Sequence, residues 1–283
     1  MTLNLSNIKY FCDTVRLGSV SRAAKANFVT QSAISQGISK LETSLGVSLH
    51  SRHPNRFRLT PEGDMAFQKS IAILQAAGEL KDSISNEKTA GPLEFASTYS
   101  FALAVIPEYL KKFRIAFPDV PVNFSIEKTE SITQKLKIGA IDFGIVPDEI
   151  DLSGFEARPI YSGKFGLYAA RHLSRKEREK LSFIIAEPDC KDTHFFRKAY
   201  RKKFGRSPPV TLCVSSWEVI ANLTQEGLGI GYFPDYIAKK RAASFCSCDL
   251  GIDLFRYRFC AIFPKGMTLR KSSQIFLSYF RDG

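Results

Sequence analysis

The feature that most constrains this chain is a run of three short helical patterns within its first 45 residues. The first pattern repeats apolar residues at helical spacing and stops at Gly18. Two more helices are predicted over Val20–Ala26 and Gln31–Leu45, because Ser19 and Thr30 can cap them. The break between these two helices spans only residues 27–29. Helices joined by so short a turn predict a helix-turn-helix domain.

The third predicted helix has two chemically different faces. Four apolar residues at steps of four, three and four form an inward stripe: Ile34, Ile38, Leu41 and Leu45. Four uncharged polar residues form another face: Ser32, Ser35, Gln36 and Ser39. A helix face that meets only water more often alternates Glu and Lys. A Ser/Gln face suits base edges and phosphate oxygens, so this helix is predicted to enter the major groove of DNA.

Basic residues are concentrated in the same part of the chain. The 283-residue sequence has a net charge of +12, and residues 1–60 hold half of it, with eight basic and two acidic residues. Residues 51–60 are typical of a small hairpin with a turn at Pro54 and Asn55, flanked by Arg52 and Arg56. Arginines on such a wing can enter the minor groove or bind phosphates. The charge alone is equally compatible with an ordinary solvated surface.

A longer helix is predicted from Pro61 to about residue 86, with Thr60 as its cap. A heptad-like seam runs along it: Ala66, Ser70, Ile73, Ala77, Leu80 and Ile84. We expect no neighbouring segment of the chain to cover this seam. Residues 61–89 are therefore interpreted as a dimerisation linker. The alternative is a helix that packs on its own domain.

After a hinge at residues 87–92, the pattern changes to alternating strands and helices. Strands are predicted over 93–97, 120–126, 141–146, 163–169, 183–186, 210–214, 229–233 and 257–263, and helices over 101–116, 130–138, 193–204, 216–226 and 269–280. This alternation predicts an α/β fold with a mostly parallel sheet covered on both faces. Two clusters of such units favour two lobes, with ligands at the carboxyl ends of the strands.

The first 63 residues resemble the LysR-type regulators. The likeness rests on Phe11, Gly18, Ser19, Ala23, Ala24, Gln31, Ser32, Ala33, Ile34, Ser35, Gln36, Ile38, Leu41, Glu42, Leu45, Gly46, Leu49, Arg52, Leu59, Thr60, Pro61, Glu62 and Gly63. The later chain is more weakly similar, through Ile106 and Pro107, Phe113, Phe117 and Pro118, residues 138–145 and residues 227–234. At His50 the family usually has Phe, so we expect a more loosely packed wing. Ser32 stands where Pro is common.

The resemblance implies a ligand-responsive transcription regulator with a winged helix-turn-helix over 1–60, a linker helix over 61–89 and an effector-binding domain over 90–283. That domain would have two periplasmic-binding-protein-like lobes, lobe I over about 90–162 and 265–283 and lobe II over about 163–264. The implied assembly is a cytoplasmic homodimer or homotetramer on double-stranded operator DNA with dyad symmetry, and RNA polymerase is a further implied partner. No catalytic activity, cofactor, metal or membrane association is expected.

The family's DNA contacts carry over to Ser21, Arg22, Gln31, Ser32, Ala33, Ser35, Gln36, Ser39, Lys40, Arg52 and Arg56. Its effector contacts carry over to Ser97, Thr98, Tyr99, Ser100, Thr129, Ser215, Ser216 and Trp217. Gln36 is the best candidate for a bidentate contact with a base. Hydroxyls and free backbone amides at helix N-termini make an anion site, so we expect a small organic anion as the effector. The alternative is that these hydroxyls only cap their helices.

Other functions stay open at this point. One is a solute-binding or enzymatic α/β domain with an unrelated N-terminal helix bundle, and another is a regulator without an effector. A redox switch through Cys190 and Cys213 is a further alternative, although nothing in the sequence marks a low-pKa thiol. The glycines at 227, 229 and 231 do not predict a dinucleotide loop, because they follow a helix and open a strand.

Overall fold

The computed structural model describes residues 3–51, 57–84, 91–148 and 151–282. In the N-terminal part, α1 (Leu5–Leu17), α2 (Val20–Ala26) and α3 (Gln31–Leu45) lie where the sequence predicts them. The side chains of Ser19 and Thr30 cap α2 and α3 by accepting hydrogen bonds from backbone N–H groups of the first turn. The predicted helix-turn-helix is therefore confirmed.

A small wing follows α3. Strands β1 (His50–Ser51) and β2 (Arg58–Leu59) pair antiparallel, so the base of the predicted hairpin is confirmed. Arg52, the turn at Pro54 and Asn55, and Arg56 lie outside the described residues.

The helices α1 and α3 approach each other closely at a glycine. A Cβ atom on Gly37 would lie 2.7 Å from the ring of Tyr10 and 3.1 Å from Oδ1 of Asn7. Side chains do not tolerate such distances, so Gly37 permits this packing. The core beneath is apolar and includes Ile8, Phe11, Ile34, Ile38 and Leu41. Burial of this core holds the helix-turn-helix together.

The long helix α4 (Pro61–Ile84) begins after the wing, and its first half packs on its own domain. Phe67 and Ile71 are buried there, and the ring of Phe67 meets that of Phe11 edge to face at 6.2 Å. Ser70, which we predicted in a dimer seam, is also buried, with 6% of its surface exposed. The expectation that no neighbouring segment covers this helix is thus wrong for its first half, because α1 packs against it.

The C-terminal part alternates strands and helices. Its strands are β3 (Leu93–Ser97), β4 (Val122–Ile126), β5 (Phe143–Pro147), β6 (Phe155–Ala170), β7 (Phe183–Ile185), β8 (Val210–Cys213), β9 (Ile230–Pro234), β10 (Phe245–Ser247) and β11 (Arg256–Pro264). Its helices are α5 (Tyr99–Ala104), α6 (Ile106–Ala116), α7 (Thr129–Lys137), α8 (Arg175–Arg178), α9 (Lys191–Phe204), α10 (Trp217–Gln225), α11 (Asp235–Lys240) and α12 (Lys271–Ser278). Each predicted strand and helix overlaps at least one of these elements, although the helix predicted over 101–116 is divided at Val105 into α5 and α6. The elements α8, α11 and β10 were not predicted.

The sheet is mixed rather than mostly parallel. The strand order is β4-β3-β5-β11-β6-β9-β7-β8, and β10 also pairs with β6. Parallel pairing is confined to β3 with β4 and β5, and to β7 with β8 and β9. The strands β6 and β11 run antiparallel to each of their partners. The prediction of a mostly parallel sheet is wrong because these two strands, in the middle of the strand order, run opposite to the parallel strands on either side of them.

The two lobes are joined by β6, which spans 16 residues. Its residues 155–164 pair with β11, and its residues 165–170 pair with β9 and β10. Since β11 also pairs with β5, it belongs to the sheet of lobe I. Our assignment of residues 256–264 to lobe II is therefore wrong, and the chain re-enters lobe I at Arg256. Within the described residues, no helix combines the length and apolar character needed to cross a membrane.

The N-terminal domain contacts lobe I at the end of α7. Arg16, in the last turn of α1, donates a hydrogen bond from Nε to the carbonyl oxygen of Ile138 at 2.8 Å. Gln68 of α4 donates to the carbonyl oxygen of Lys137 at 3.1 Å. The last carbonyls of a helix lack partners within it, so these donors satisfy groups that would otherwise need water. Ile138 and Met267 add apolar contacts to the core of the N-terminal domain.

A buried charge network fixes α12 to lobe I. Asp142 is 2% exposed, accepts a hydrogen bond from Oγ of Ser273 at 2.9 Å and lies 3.3 Å from Nε of Arg270. The same guanidinium pairs with Glu94 of β3 at 3.1 Å. Burial raises the pKa of Asp142 to about 6, and Arg270 and Ser273 partly oppose that rise.

We expect Gly63→Ala to destabilise the N-terminal domain by about 2–3 kcal/mol, because overpacking forces the backbone to shift. A Cβ atom on Gly63 would lie 1.8 Å from the carbonyl oxygen of Leu49. Gly78→Ala on the same helix is the matched control, since nothing lies within 4 Å of its Cβ position. Alanine there should stabilise the helix by about 1 kcal/mol. Chemical denaturation measures both, and equal effects of the two variants would contradict this packing.

A second prediction concerns pH. The pKa of Asp142 is raised from 3.8 to about 6 in the folded chain, so the folded state holds this proton more tightly than the unfolded state. The contribution of Asp142 to stability therefore falls as the pH rises from about 4 to about 7. In Asp142→Asn this loss is removed, and its melting temperature relative to wild type should rise over that range. Asp148→Asn, which removes a more exposed carboxylate paired with Arg258, is the control. Parallel curves for Asp142→Asn and wild type would disprove the effect.

Candidate DNA interface and effector cleft

The polar face of α3 lies in solvent. Its predicted contact residues Gln31, Ser32, Ser35, Gln36, Ser39 and Lys40 are exposed, and Ala33 is partly buried. The opposite face is buried through Ile34, Gly37, Ile38 and Leu41. The division of this helix into an apolar inner face and a polar outer face is therefore confirmed, with Leu45 only partly buried at its end.

Several of these polar groups have no partner within the chain. Across the described residues, the side chains of Gln31, Ser35 and Gln36 form no hydrogen bond with another residue. Ser32 differs, because its Oγ lies 3.2 Å from Oγ1 of Thr30, the residue that caps the helix. The outer face of α3 therefore presents amide and hydroxyl groups that can bond to a partner without breaking bonds in the protein.

The start of α2 adds exposed groups next to this face. Ser21 and Arg22 are both exposed, and the backbone N–H of Arg22 donates to the capping Oγ of Ser19 at 3.4 Å. A hydroxyl and a guanidinium at such a position are the groups that proteins use to hold phosphate oxygens.

The base of the wing is fixed by Glu42 of α3. Its Oε1 accepts a hydrogen bond from the backbone N–H of Leu49 at 2.7 Å and lies 3.2 Å from Nδ1 of His50. The ring of His50 stacks on Phe57 with a centroid distance of 4.9 Å. At the base of the wing, His50 thus has both an aromatic and a polar contact, and the expectation of looser packing stays a prediction for the rest of the wing. The predicted wing contacts Arg52 and Arg56 lie outside the described residues.

Three of the five effector residues predicted in lobe I, Thr98, Tyr99 and Thr129, meet at one cavity of about 590 Å³. Its lining is formed by Thr98, Tyr99, Ile126, Glu127, Lys128, Thr129 and Glu130. Because β3 and β4 are parallel neighbours, the segments after them emerge at the same edge of the sheet. Ser97 and Ser100 are buried and do not line this cavity.

The cavity carries charges of both signs. Glu127 forms an ion pair with Lys135, and this hydrogen bond, together with one from Ser131, lowers the pKa of Glu127. Lys128 and Glu130 also line the cavity. The electrostatics therefore do not select an anionic ligand over a neutral polar one, and the organic anion stays a prediction.

Helix capping does not account for the predicted hydroxyls. Thr98 and Ser216 occupy the N-cap positions of α5 and α10, yet neither side chain accepts a hydrogen bond from its helix. Thr129 is the first residue of α7, and Lys128 holds the N-cap position. These hydroxyls are not used as caps, which the alternative interpretation required.

The predicted residues of lobe II do not reach the cavity of lobe I. Ser215 is exposed, while Ser216 and Trp217 are partly buried. The indole ring of Trp217 packs edge to face on Phe165, where β6 changes partners, at 5.3 Å. A larger cavity of about 810 Å³ lies beside β6 in lobe II and is lined by none of the predicted residues.

The contacts between the lobes include a residue that the sequence interpretation missed. Tyr236 of α11 is buried and packs edge to face on Phe101 of lobe I at 6.0 Å. Burial raises the pKa of its hydroxyl well above the ordinary value, and the hydroxyl of Ser100 partly opposes that rise. Its position just after Pro234, at the carboxyl end of β9, was the signal that could have placed it at this edge.

Two family models match the chain. Residues 5–64 match "Bacterial regulatory helix-turn-helix protein, lysR family", and residues 86–283, more than half of the chain, match "LysR substrate binding domain". The chain belongs to the LysR family. It is a transcriptional regulator with an N-terminal DNA-binding domain and a C-terminal effector-binding domain, as the resemblance implied.

LysR-family relatives cover most of the chain. The regulator CrgA of Neisseria meningitidis is 28% identical over 248 residues, which are 84% of this chain and 81% of that protein. The hydrogen peroxide-inducible genes activator of Haemophilus influenzae is 25% identical and covers 82% of this chain and 80% of its own.

Solved structures share the fold over the whole length. ArgP from Mycobacterium tuberculosis has a TM-score of 0.69 at 20% identity and covers 100% of this chain and 98% of its own. DarR from Vibrio fischeri, in complex with DNA, has a TM-score of 0.55 at 16% identity and covers 99% of both chains.

Within this LysR-family domain, the cysteines considered for a redox switch differ in their surroundings. Cys190 is partly buried, and burial raises the pKa of its thiol, with the nearby Asp192 adding to the rise. Cys213 is exposed at the end of β8. A raised pKa opposes formation of the reactive thiolate, so we do not propose a redox function for this pair.

Proposed function

We propose that this LysR-family regulator reads operator DNA with the outer face of α3. The observation that supports it is a row of exposed polar side chains without intramolecular partners, on the opposite side of the helix from a fully apolar core. The surrounding residues 1–60 carry half of the net charge of the chain, which favours a polyanionic partner. DarR from Vibrio fischeri, which shares this fold, has been solved in complex with DNA.

Within this proposal the contacts divide by role. Gln36 is assigned to a base edge, with Gln31, Ser32, Ala33, Ser35 and Ser39 beside it in the groove. Ser21, Arg22 and Lys40 are assigned to phosphates. Arg52 and Arg56 are assigned to the wing, from their sequence positions alone.

We further propose that two copies pair through the exposed side of α4. Part of the seam we predicted is closed to a partner, since Ser70 is buried, whereas Ile73 of the same seam stays exposed. Met65 is 68% exposed, Ile73 is 38% exposed, and Ala72 and Ala76 lie on the same exposed side. A dimer brings two recognition helices to two half-sites, which matches an operator with dyad symmetry. Such a regulator acts in the cytoplasm, as a dimer or tetramer, and contact with RNA polymerase is part of the same proposal.

The proposed effector binds between the lobes, with the 590 Å³ cavity as its lobe I half. Thr98, Tyr99 and Thr129 supply its nearest hydrogen-bonding groups, and Ser97 and Ser100 lie just behind on the same segment. Ser215, Ser216 and Trp217 would join from lobe II when the lobes close. A small organic anion remains the proposed class of ligand, held by Lys128 and by the free N–H groups at the start of α7.

The DNA proposal is tested with Ser35→Ala and Gln36→Ala. Each removes a group without an intramolecular partner, so stability should not change, while affinity for the promoter upstream of the gene should fall about tenfold or more for Gln36→Ala. Ser44→Ala is the matched control, because Ser44 lies in the last turn of α3, outside the assigned contact residues, and its hydroxyl donates to the carbonyl oxygen of Lys40. Fluorescence anisotropy at one fixed salt concentration measures the binding. Unchanged affinity in both test variants would refute the assignment of α3.

The effector proposal is tested with Thr129→Val, which removes a hydroxyl and keeps the shape. The ligand is the compound that most raises the melting temperature of the wild type in a screen of small organic anions. Calorimetry should show about tenfold weaker binding, the cost of one lost hydrogen bond. Thr133→Val is the control, since its hydroxyl donates to the carbonyl oxygen of Glu130 on the same helix. Equal affinity of Thr129→Val and wild type would place the ligand elsewhere.

A further inference from the structure

The turn of the helix-turn-helix carries an apolar side chain that the fold does not use. Phe28 is 96% exposed, more than any other large apolar residue of the described chain. Its φ is +55°, in the left-handed region, where it is alone among the described non-glycine residues. A side chain in that region is strained, and only Gly, Asn and Asp visit it readily.

The backbone explains the conformation but not the side chain. The N–H of Phe28 donates to the carbonyl oxygen of Lys25 at 3.2 Å, and that of Val29 to the carbonyl oxygen of Ala24 at 3.1 Å. These two bonds form a Schellman motif, which ends α2 and requires a left-handed residue between helix and exit. Glycine or asparagine would satisfy the motif without strain. The phenyl ring therefore has no role in folding the turn.

The position of Phe28 is firmly set. The preceding Asn27 donates to Oδ2 of Asp13 at 2.8 Å and to the carbonyl oxygen of Ala23 at 3.0 Å, and it also contacts Nζ of Lys9. The following Val29 packs on the core of the domain. Phe28 thus projects from a fixed turn two residues before Thr30, the cap of α3.

The charges near Phe28 favour DNA as the partner of its ring. Arg22 and Lys25, which precede Phe28 by six and three residues, are both exposed, and the whole domain is basic. A second copy of this surface would bring like charges together, whereas DNA brings phosphates to them. The N-terminal end of a recognition helix is the part that meets base edges in the major groove. The apolar group that a duplex presents there is the 5-methyl group of thymine.

We propose that Phe28 packs against a thymine methyl group at the edge of the half-site read by α3, and so determines sequence specificity. The proposal rests on the DNA-binding function proposed above. It extends the interface from the hydrogen-bonding face of α3 to the turn that precedes it.

The test uses the full-length protein and a duplex that the wild type has selected from a random-sequence pool. Each thymine of the half-site is replaced in turn by deoxyuridine, which removes only the methyl group. For the wild type, replacing one thymine near the Phe28 turn should weaken binding about threefold to tenfold, because the ring then loses its apolar contact with the base. Phe28→Ala should lose the same factor on the unmodified duplex and become insensitive to deoxyuridine at that position only.

Phe28→Asn keeps the test independent of folding. Asparagine relieves the left-handed strain, so its melting temperature should equal or exceed that of the wild type while its affinity falls as in Phe28→Ala. The proposal is overturned if Phe28→Ala retains wild-type affinity, or if it loses affinity but keeps the same response to every deoxyuridine. If the wild type selects no sequence at all, the proposed DNA-binding function itself fails, and this outcome is distinct from the other two.

Discussion

The arrangement of the C-terminal domain depends on one continuous strand that belongs to two sheets. β6 spans 16 residues and changes partners between Lys164 and Phe165, from β11 in lobe I to β9 and β10 in lobe II. Backbone hydrogen bonds on both sides of this change make β6 part of both lobes. Within lobe I, the parallel neighbours β3 and β4 end at a common edge, which is why residues after both strands line a single cavity. In lobe II, Trp217 and Phe255 pack on Phe165, where β6 changes partners.

One helix connects that cavity to the DNA-binding domain. The first residue of α7, Thr129, lines the cavity, and the carbonyl oxygens of Lys137 and Ile138 at its other end accept hydrogen bonds from Gln68 and Arg16. A nine-residue helix spans about 13 Å and does not bend easily. A ligand that contacts Thr129 differently in two states of the domain therefore acts on the element that holds the N-terminal domain. Differential contact of this kind is the condition for any effector response.

Local rules predicted the N-terminal domain well because its signals are local. Ser19 and Thr30 mark the starts of α2 and α3, and the side chains make the hydrogen bonds that the rule assumes. The features that the sequence did not predict depend on tertiary contacts. Ser70 fits a heptad seam, yet it is buried in the packing of α4 on α1. The lengths of β6 and β11 depend on their pairing with each other, which the alternation of residues within one strand does not predict. Strand order predicted that Thr98 and Thr129 lie at one edge, whereas Tyr236 was missed because its contact with Phe101 joins residues far apart in the sequence.

The two proposed sites differ in how far their side chains are already arranged for binding in the free protein. On α3, Ser35 and Ser39 have short side chains on a rigid helix, so little rotamer entropy is lost when they meet DNA. Their inner neighbours Ile34 and Ile38 are fully packed, which fixes the angle at which the outer face is presented. The proposed effector site is divided instead between a cavity in lobe I and the predicted residues of lobe II that lie outside it. In this proposal, binding brings the second half closer, and the free energy of that movement is what an effector would convert into a change at the DNA.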